Sequence, residues 1–273
     1  MSQDADSTAA DGSLTTSRDG AVLRLTLDRP SRRNSLSPSM IETFVAALTD
    51  AAADERLRAI HIRGAGDHFC AGVDWVATNS QAEHRPRTGD LLRRIPHTAH
   101  RVIELVHSIH LPVVCSVRGF AAGLGCNLAL AADFTVAATD AVFWEPFAAR
   151  GFTPDSGATW ILPRLVGLTR AKQMLLLGDK VSGTEAADWG LIHQVVSPPD
   201  LDDRSEELLA RLAAGPTVAL GLAKHAIHYA QHATLTQAMT QELFDIELSC
   251  RTKDFKEGLA AFRERRPPQF HGH

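Results

Sequence analysis

The chain has 273 residues, 44% of them hydrophobic, which is enough to bury a full core in one large domain or two modest ones. Its 28 basic and 32 acidic side chains leave a formal charge of −4, too balanced for the basic footprint of a nucleic-acid-binding protein. No apolar run reaches the roughly 18 residues that a membrane span needs, so neither nucleic acid nor membrane is an expected partner.

Residues 1–16, MSQDADSTAADGSLTT, are small, polar and acidic, with none of the patterning of a signal or transit peptide; a flexible tail and a cytoplasmic protein are expected. AVLRLTLDRP then alternates apolar and polar residues up to Pro30 and reads as a half-buried strand. SPSMIETFVAALTDAAAD has helical spacing, with Ser37 as a candidate N-cap, Pro38 at the first helical position and Glu42 three residues after Ser39. LRAIHIRG and LPVVCSVRG are β-rich runs ending in glycine, separated by a helical stretch from about Leu91 to His110. The polar loop QAEHRPRTGD, 81–90, is long enough to be mobile. DFTVAA, AVFW and HQVV continue the strand signal between helical segments, so a parallel or mixed sheet covered by helices is expected. From Leu201 onward only helical patterns occur. The expected organisation is therefore a tail (1–16), an α/β core (17–200) and a C-terminal helical region (201–273). The four cysteines are far apart and show no C-x-x-C spacing, which points to reduced, buried thiols rather than to disulfides or zinc.

The segment GFAAGLGCNLALAAD, 119–133, runs three glycines into an apolar helix. Such a turn presents free N–H groups to an anion, but neither phosphate-loop nor dinucleotide spacing is met, because Cys126, Asn127, Leu128 and Ala129 stand where those motifs need other residues. The glycines are also compatible with close strand–helix packing and nothing more. A second turn of the same design, IRGAGDHFCAGVDW at 62–75, adds another possibility: two turns at neighbouring strand ends, each offering one backbone N–H to a single oxygen, make an oxyanion hole.

Together the two turns resemble the crotonase, or enoyl-CoA hydratase/isomerase, superfamily, and the resemblance covers nearly the whole chain. Its marks are LDRPSRRNSLS (27–37), GAGDHFCAGVD (64–74), RGFAAGLGCNLALAADF (118–134), GFTPDSGATWILPRLVG (151–167), SGTEAADWGLIHQVV (182–196) and EGLAAFRERRPPQF (257–270), in family order. It implies an α/β fold of repeated β-β-α turns in a spiral, closed by a C-terminal all-helical trimerisation region. It also implies an acyl-CoA thioester substrate, no permanently bound cofactor, and assembly as a homotrimer or hexamer. The matching donors are the N–H groups of Val73 and Leu124. Arg32 and Arg33 fall beside the CoA entrance, the Ala71 and Asp74 main chain near the adenine, and Arg265 on the C-terminal helix near phosphate, with Phe262 on the same helical side three residues earlier; Lys253 and Lys256 are further candidates.

Hydratases of this family use two glutamates, and the matching positions here are Asn127 and Phe147, neither of which can move a proton near neutrality. Asp155 in FTPDSGAT is the better candidate: it resembles the single carboxylate of family isomerases and sits close in sequence to Phe147, Phe152 and Trp160. A helix N-cap is its structural alternative. Glu145 points either inward or to a surface or partner. His100 falls where related dehalogenases carry a catalytic histidine, and is counted with Asn127 and Phe147 among the substrate-contacting positions. The expected reaction is double-bond migration in an enoyl-CoA, with hydration by an atypical acid/base set as the alternative and a non-catalytic acyl-CoA binder as a third reading.

Overall fold

A computed structural model describes residues 12–74 and 87–273. Strands β1 (Ser13–Asp19) and β2 (Val22–Asp28) form an antiparallel pair, with Ser13 opposite Asp28. β2 then pairs in parallel with β3 (Ala59–Gly64), β3 with β4 (Val113–Val117), β4 with β6 (Phe134–Ala138) and β6 with β9 (Gln194–Val196). A second sheet joins β5 (Phe120–Ala122), β7 (Val142–Trp144) and β8 (Lys180–Ser182). Its formation follows from a repeated unit. β4 and β6 enter the large sheet, the chain turns at once into β5 or β7 in the small sheet, and then leads on to helix α4 (Leu124–Ala131) or α5 (Ala158–Lys172).

The inner strands are buried on both faces, which is why LPVVCSVRG opens on a run of apolar residues without alternation. Ile60, Ile62, Val113, Cys115 and Val117 face the main core, shared with α1 (Pro38–Ala53), α3 (Ala99–Ser108), α4 and α5. The alternate residues Ala59 and Val114 face α7 (Leu201–Ala213) through Leu209. His61 and Ser116 lie on that second face and are the polar exception. Arg24 donates to His61 Nδ1 at 3.2 Å, so the ring proton sits on Nε2, 2.6 Å from Ser116 Oγ. Ser116 Oγ donates to Ser205 Oγ at 2.7 Å, and Ser205 to the Leu201 carbonyl at 2.7 Å. This file of hydrogen bonds fastens α7 to the sheet.

Several expectations need correction. β1 begins at Ser13, inside the stretch expected to be tail; it is an edge strand in which only Leu14 is buried, so it carries no apolar alternation. Residues 1–11, and 81–86 of the expected mobile loop, lie outside the described residues. The helix expected from about Leu91 to His110 is broken at Pro96, giving α2 (Asp90–Arg94) and α3. Ser37 caps α1 as expected, accepting from Met40 N at 3.3 Å, whereas Glu42 takes no part in the cap. Because α7 packs on the large sheet, the expected boundary at 200/201 cuts through one packing unit.

Beyond the short helix α6 (Gly183–Asp188) and α7, the chain ends in α8 (Thr217–Ala230), α9 (Leu235–Ser249) and α10 (Lys253–Glu264). Lys224 ties α8 to the core, donating to Asp133 at 2.7 Å, while the same Asp133 oxygen accepts from Val113 N at 2.8 Å. α9 and α10 leave Leu235, Met239, Leu243, Phe244, Leu259 and Phe262 exposed. No helix among the described residues is long and apolar enough to cross a membrane.

Candidate active site

The segments 69–74 and 118–125 run side by side at the carboxyl ends of β3 and β4. Cys70 N donates to Phe120 O and Ala122 N to Cys70 O, both at 2.9 Å. Gly72, at φ +91°, sits so close to the second segment that a Cβ there would lie 2.8 Å from the Ala122 carbonyl, which only glycine tolerates. Gly125 is equally constrained, since a Cβ would run into the Cys70 carbonyl. On its other side the first turn is held by Leu36, whose N–H donates to Gly72 O at 2.8 Å and whose carbonyl accepts from Asp74 N at 3.2 Å. Those bonds bracket Val73 and leave its N–H outside the ladder. Leu124 is the first residue of α4, where a backbone N–H has no partner within the helix.

Asp155 lies in the turn before α5. Its side chain does not cap that helix, whose N-cap is Gly157 with no side-chain bond, so the capping alternative is set aside. Instead Ser156 Oγ donates to Asp155 Oδ1 at 2.7 Å. The Asp155 carbonyl accepts from Ala158 N at 3.0 Å and from Asn127 Nδ2 at 3.4 Å. Asn127 is fully buried at the first turn of α4, and its Oδ1 has no partner among the described residues. Phe147 is buried edge-on against Phe152, with ring centroids 5.7 Å apart. Trp160 turns elsewhere: its ring meets His107 and carries the Arg164 guanidinium at 4.1 Å.

Glu145 points inward. It is 0% exposed, and neither carboxyl oxygen makes a well-formed hydrogen bond among the described residues, the Cys126 thiol being its polar neighbour. Burial pushes its pKa well above the usual carboxylate range; the neighbouring Cys126 thiol favours the charged form, and the charge of Asp155 opposes it. Glu145 is thus a buried carboxyl group in the same neighbourhood as Asp155, with burial opposing its charged form. His100, on α3, accepts from Ser156 N through Nε2 at 3.2 Å, so its ring is engaged with the Asp155 turn.

At the outer side, Arg33 is exposed, its guanidinium 5.2 Å from the Phe120 ring centre, and Lys180 reaches the same ring at 5.6 Å and Trp144 at 4.9 Å. Arg32 is also exposed. Ala71 N is held by the Arg33 carbonyl at 2.9 Å, and Asp74 is paired at 2.8 Å with the buried Arg29. Phe262 is 84% exposed and Arg265 is exposed at the end of α10, so within one chain neither is packed into this site.

The family model for enoyl-CoA hydratase/isomerase matches residues 17–273. The chain belongs to the enoyl-CoA hydratase/isomerase family. The 1,2-epoxyphenylacetyl-CoA isomerase of Escherichia coli is 38% identical over 92% of this chain and 95% of its own length. A Rhodobacter capsulatus protein named "Probable enoyl-CoA hydratase" is also 38% identical, over 91% of this chain and 93% of its own. A solved enoyl-CoA hydratase from a Polaromonas species superposes with a TM-score of 0.88 at 32% identity, over 95% of this chain and 100% of that one. The α/β crotonase-like architecture is therefore established, and with it membership in a family of enzymes that act on CoA thioesters. Relatives carry isomerase and hydratase names alike, so the reaction itself has to be read from the site. In this hydratase/isomerase family member three contributors escaped the sequence reading. Ser156 is a serine between an aspartate and a glycine, Lys180 is distant in sequence, and Arg29 lies one residue before Pro30 in a motif whose other arginines drew attention.

Proposed function

We propose that the protein is an enoyl-CoA isomerase in which Asp155 carries the migrating proton. The observation that supports this most is the state of its carboxylate: Oδ1 is held by Ser156, while Oδ2 takes no hydrogen bond from any described residue. The positions that serve hydratases hold a buried amide, Asn127, and a buried ring, Phe147. Oδ2 takes a proton from a carbon α or γ to the thioester, and the electron pair moves onto the carbonyl oxygen. Val73 and Leu124 N–H hold that oxygen; each such donor contributes about 3–4 kcal/mol in comparable sites. Asp155 then returns the proton to the other carbon, so no water enters and the mass is unchanged. In this reading CoA lies across Arg32, Arg33, Ala71 and Asp74, with Arg265 reaching phosphate and Phe262 beside it on the same helical side in the assembled trimer or hexamer of a cytoplasmic enzyme. No permanently bound cofactor is required.

A second reading rests on Glu145, a second carboxyl group near Asp155 whose burial opposes its charged form, since water addition needs one group to take a proton and another to give one. Assaying a panel of enoyl-CoA thioesters by mass spectrometry separates the two, because hydration adds the mass of water and isomerisation changes only the spectrum. Asp155→Asn is expected to lower turnover by about 10²- to 10⁴-fold while leaving thioester binding nearly intact. Near-normal turnover in that variant refutes the role of Asp155 and moves attention to Glu145. Binding without any conversion across the panel identifies a non-catalytic acyl-CoA binder.

A further inference from the structure

The peptide unit that joins Asp155 to Ser156 is held at both of its polar ends. Its carbonyl accepts from Ala158 N at 3.0 Å and from Asn127 Nδ2 at 3.4 Å, and its N–H donates to His100 Nε2 at 3.2 Å. A backbone N–H can only donate, so His100 carries its own proton on Nδ1. Ser156 is 2% exposed and sits at φ +53°, a left-handed conformation that every L-residue but glycine adopts at a cost. A position of that shape favours glycine or asparagine. Serine offers something they do not, a hydroxyl 2.7 Å from Asp155 Oδ1. Asn127 and His100, drawn from α4 and α3, therefore act on the same plane from opposite ends, and the strained Ser156 acts on the carboxylate.

We infer that Asn127, His100 and Ser156 are positioning residues: the first two clamp the 155–156 peptide plane, and Ser156 engages Oδ1 so that Oδ2 alone is presented to the substrate. This rests on the reading of Asp155 as the proton carrier. It gives Asn127, where family hydratases carry a glutamate, a donor function that a carboxylate cannot perform. It also replaces substrate contact by His100 with a hold on the backbone. One oxygen fixed and one free keeps the protonated Oδ2 aimed at the two carbons, which favours return of the proton before it exchanges with water.

Ser156→Gly tests this directly, since glycine accepts φ +53° and removes only the hydroxyl. The melting temperature is expected to stay within about 3 °C of the parent, since relief of strain offsets the lost hydrogen bond. Meanwhile kcat falls about tenfold with KM unchanged, the loss of one charge-assisted hydrogen bond. In D2O the product of the parent should retain mostly substrate-derived hydrogen, and Ser156→Gly should at least double deuterium incorporation. His100→Leu is expected to lower kcat in the same way, and His100→Gln, which keeps an acceptor, to restore part of it. A Ser156→Gly enzyme with parental kcat and parental deuterium content overturns the inference, as does a His100→Leu enzyme with parental kcat. If Asp155→Asn is inactive in the same assay, such a result defeats this inference alone; if Asp155→Asn is fully active, both this inference and the isomerase reading fall.

Discussion

Replacing Leu124 by proline isolates one backbone atom. Leu124 is the first residue of α4, the helical position at which proline is best tolerated, because the N–H it removes has no partner within the helix. Gly123 before it lies at φ 53°, ψ −123°, outside the α region that a following proline forbids. The backbone can therefore accept the ring, and the chemical loss is the N–H proposed to hold the thioester oxygen. The side chain is a complication, since Leu124 is buried in the main core and truncating such a leucine costs about 2–5 kcal/mol of stability. Leu124→Ala supplies the control: it removes the side chain and keeps the N–H. Both variants should lose stability in urea unfolding. At a temperature where both remain folded, Leu124→Pro should turn over about 10²- to 10³-fold more slowly than Leu124→Ala, equivalent to about 3–4 kcal/mol for one donor. Equal kcat values for the two folded variants would show that the Leu124 N–H does not stabilise the developing oxyanion.

Acid should destabilise the fold through His61. Burial lowers its pKa from 6.5 to about 4, so the unfolded chain binds the proton first. The contribution is complete above pH 6.5 and is lost as pH falls toward 4; it amounts to about 3 kcal/mol for a shift of this size. The urea stability of the parent relative to His61→Gln should decline across that window, and a difference independent of pH contradicts this account. The exposed apolar residues of α9 and α10 are expected to be covered by a neighbouring subunit, giving a trimer or hexamer by sedimentation at micromolar concentration. A monomer under those conditions defeats this expectation.

The parts of the fold that were legible in the sequence are those where burial is two-sided or strongly periodic. β3 and β4 announced themselves because both faces are covered, and α1 because Ser37 and Pro38 mark its start. β1 has one buried residue and β5 and β8 have three residues each, so none offers enough pattern to separate strand from loop. At the site, residue type pointed to Asp155, but conformation did not show: nothing in the letters D-S-G states that the serine is left-handed or that its hydroxyl meets the carboxylate. Glu145 was ambiguous for a related reason. It follows a three-residue strand and precedes Pro146, where alternation has too short a run to say which way a side chain points. His61 and Ser116 are polar residues in apolar strands whose partners are tertiary: they bond each other across β3 and β4, and Ser205 of α7 accepts from Ser116.

The contact between Gly125 and the Cys70 carbonyl bears on how such an enzyme can diversify. Two turns distant in sequence meet there with no room for a methyl group, and Gly72 meets the Ala122 carbonyl in the same manner. The spacing of the Val73 and Leu124 N–H groups is therefore a property of interlocked backbone, nearly closed to substitution at 72 and 125. Positions 127, 145, 147 and 155 contribute side chains rather than the interlock, and exchanging them leaves that spacing in place. In the proposed reading, chemistry in this architecture changes with a few side chains while the backbone frame stays fixed; two relatives equally identical to this chain carry different reaction names.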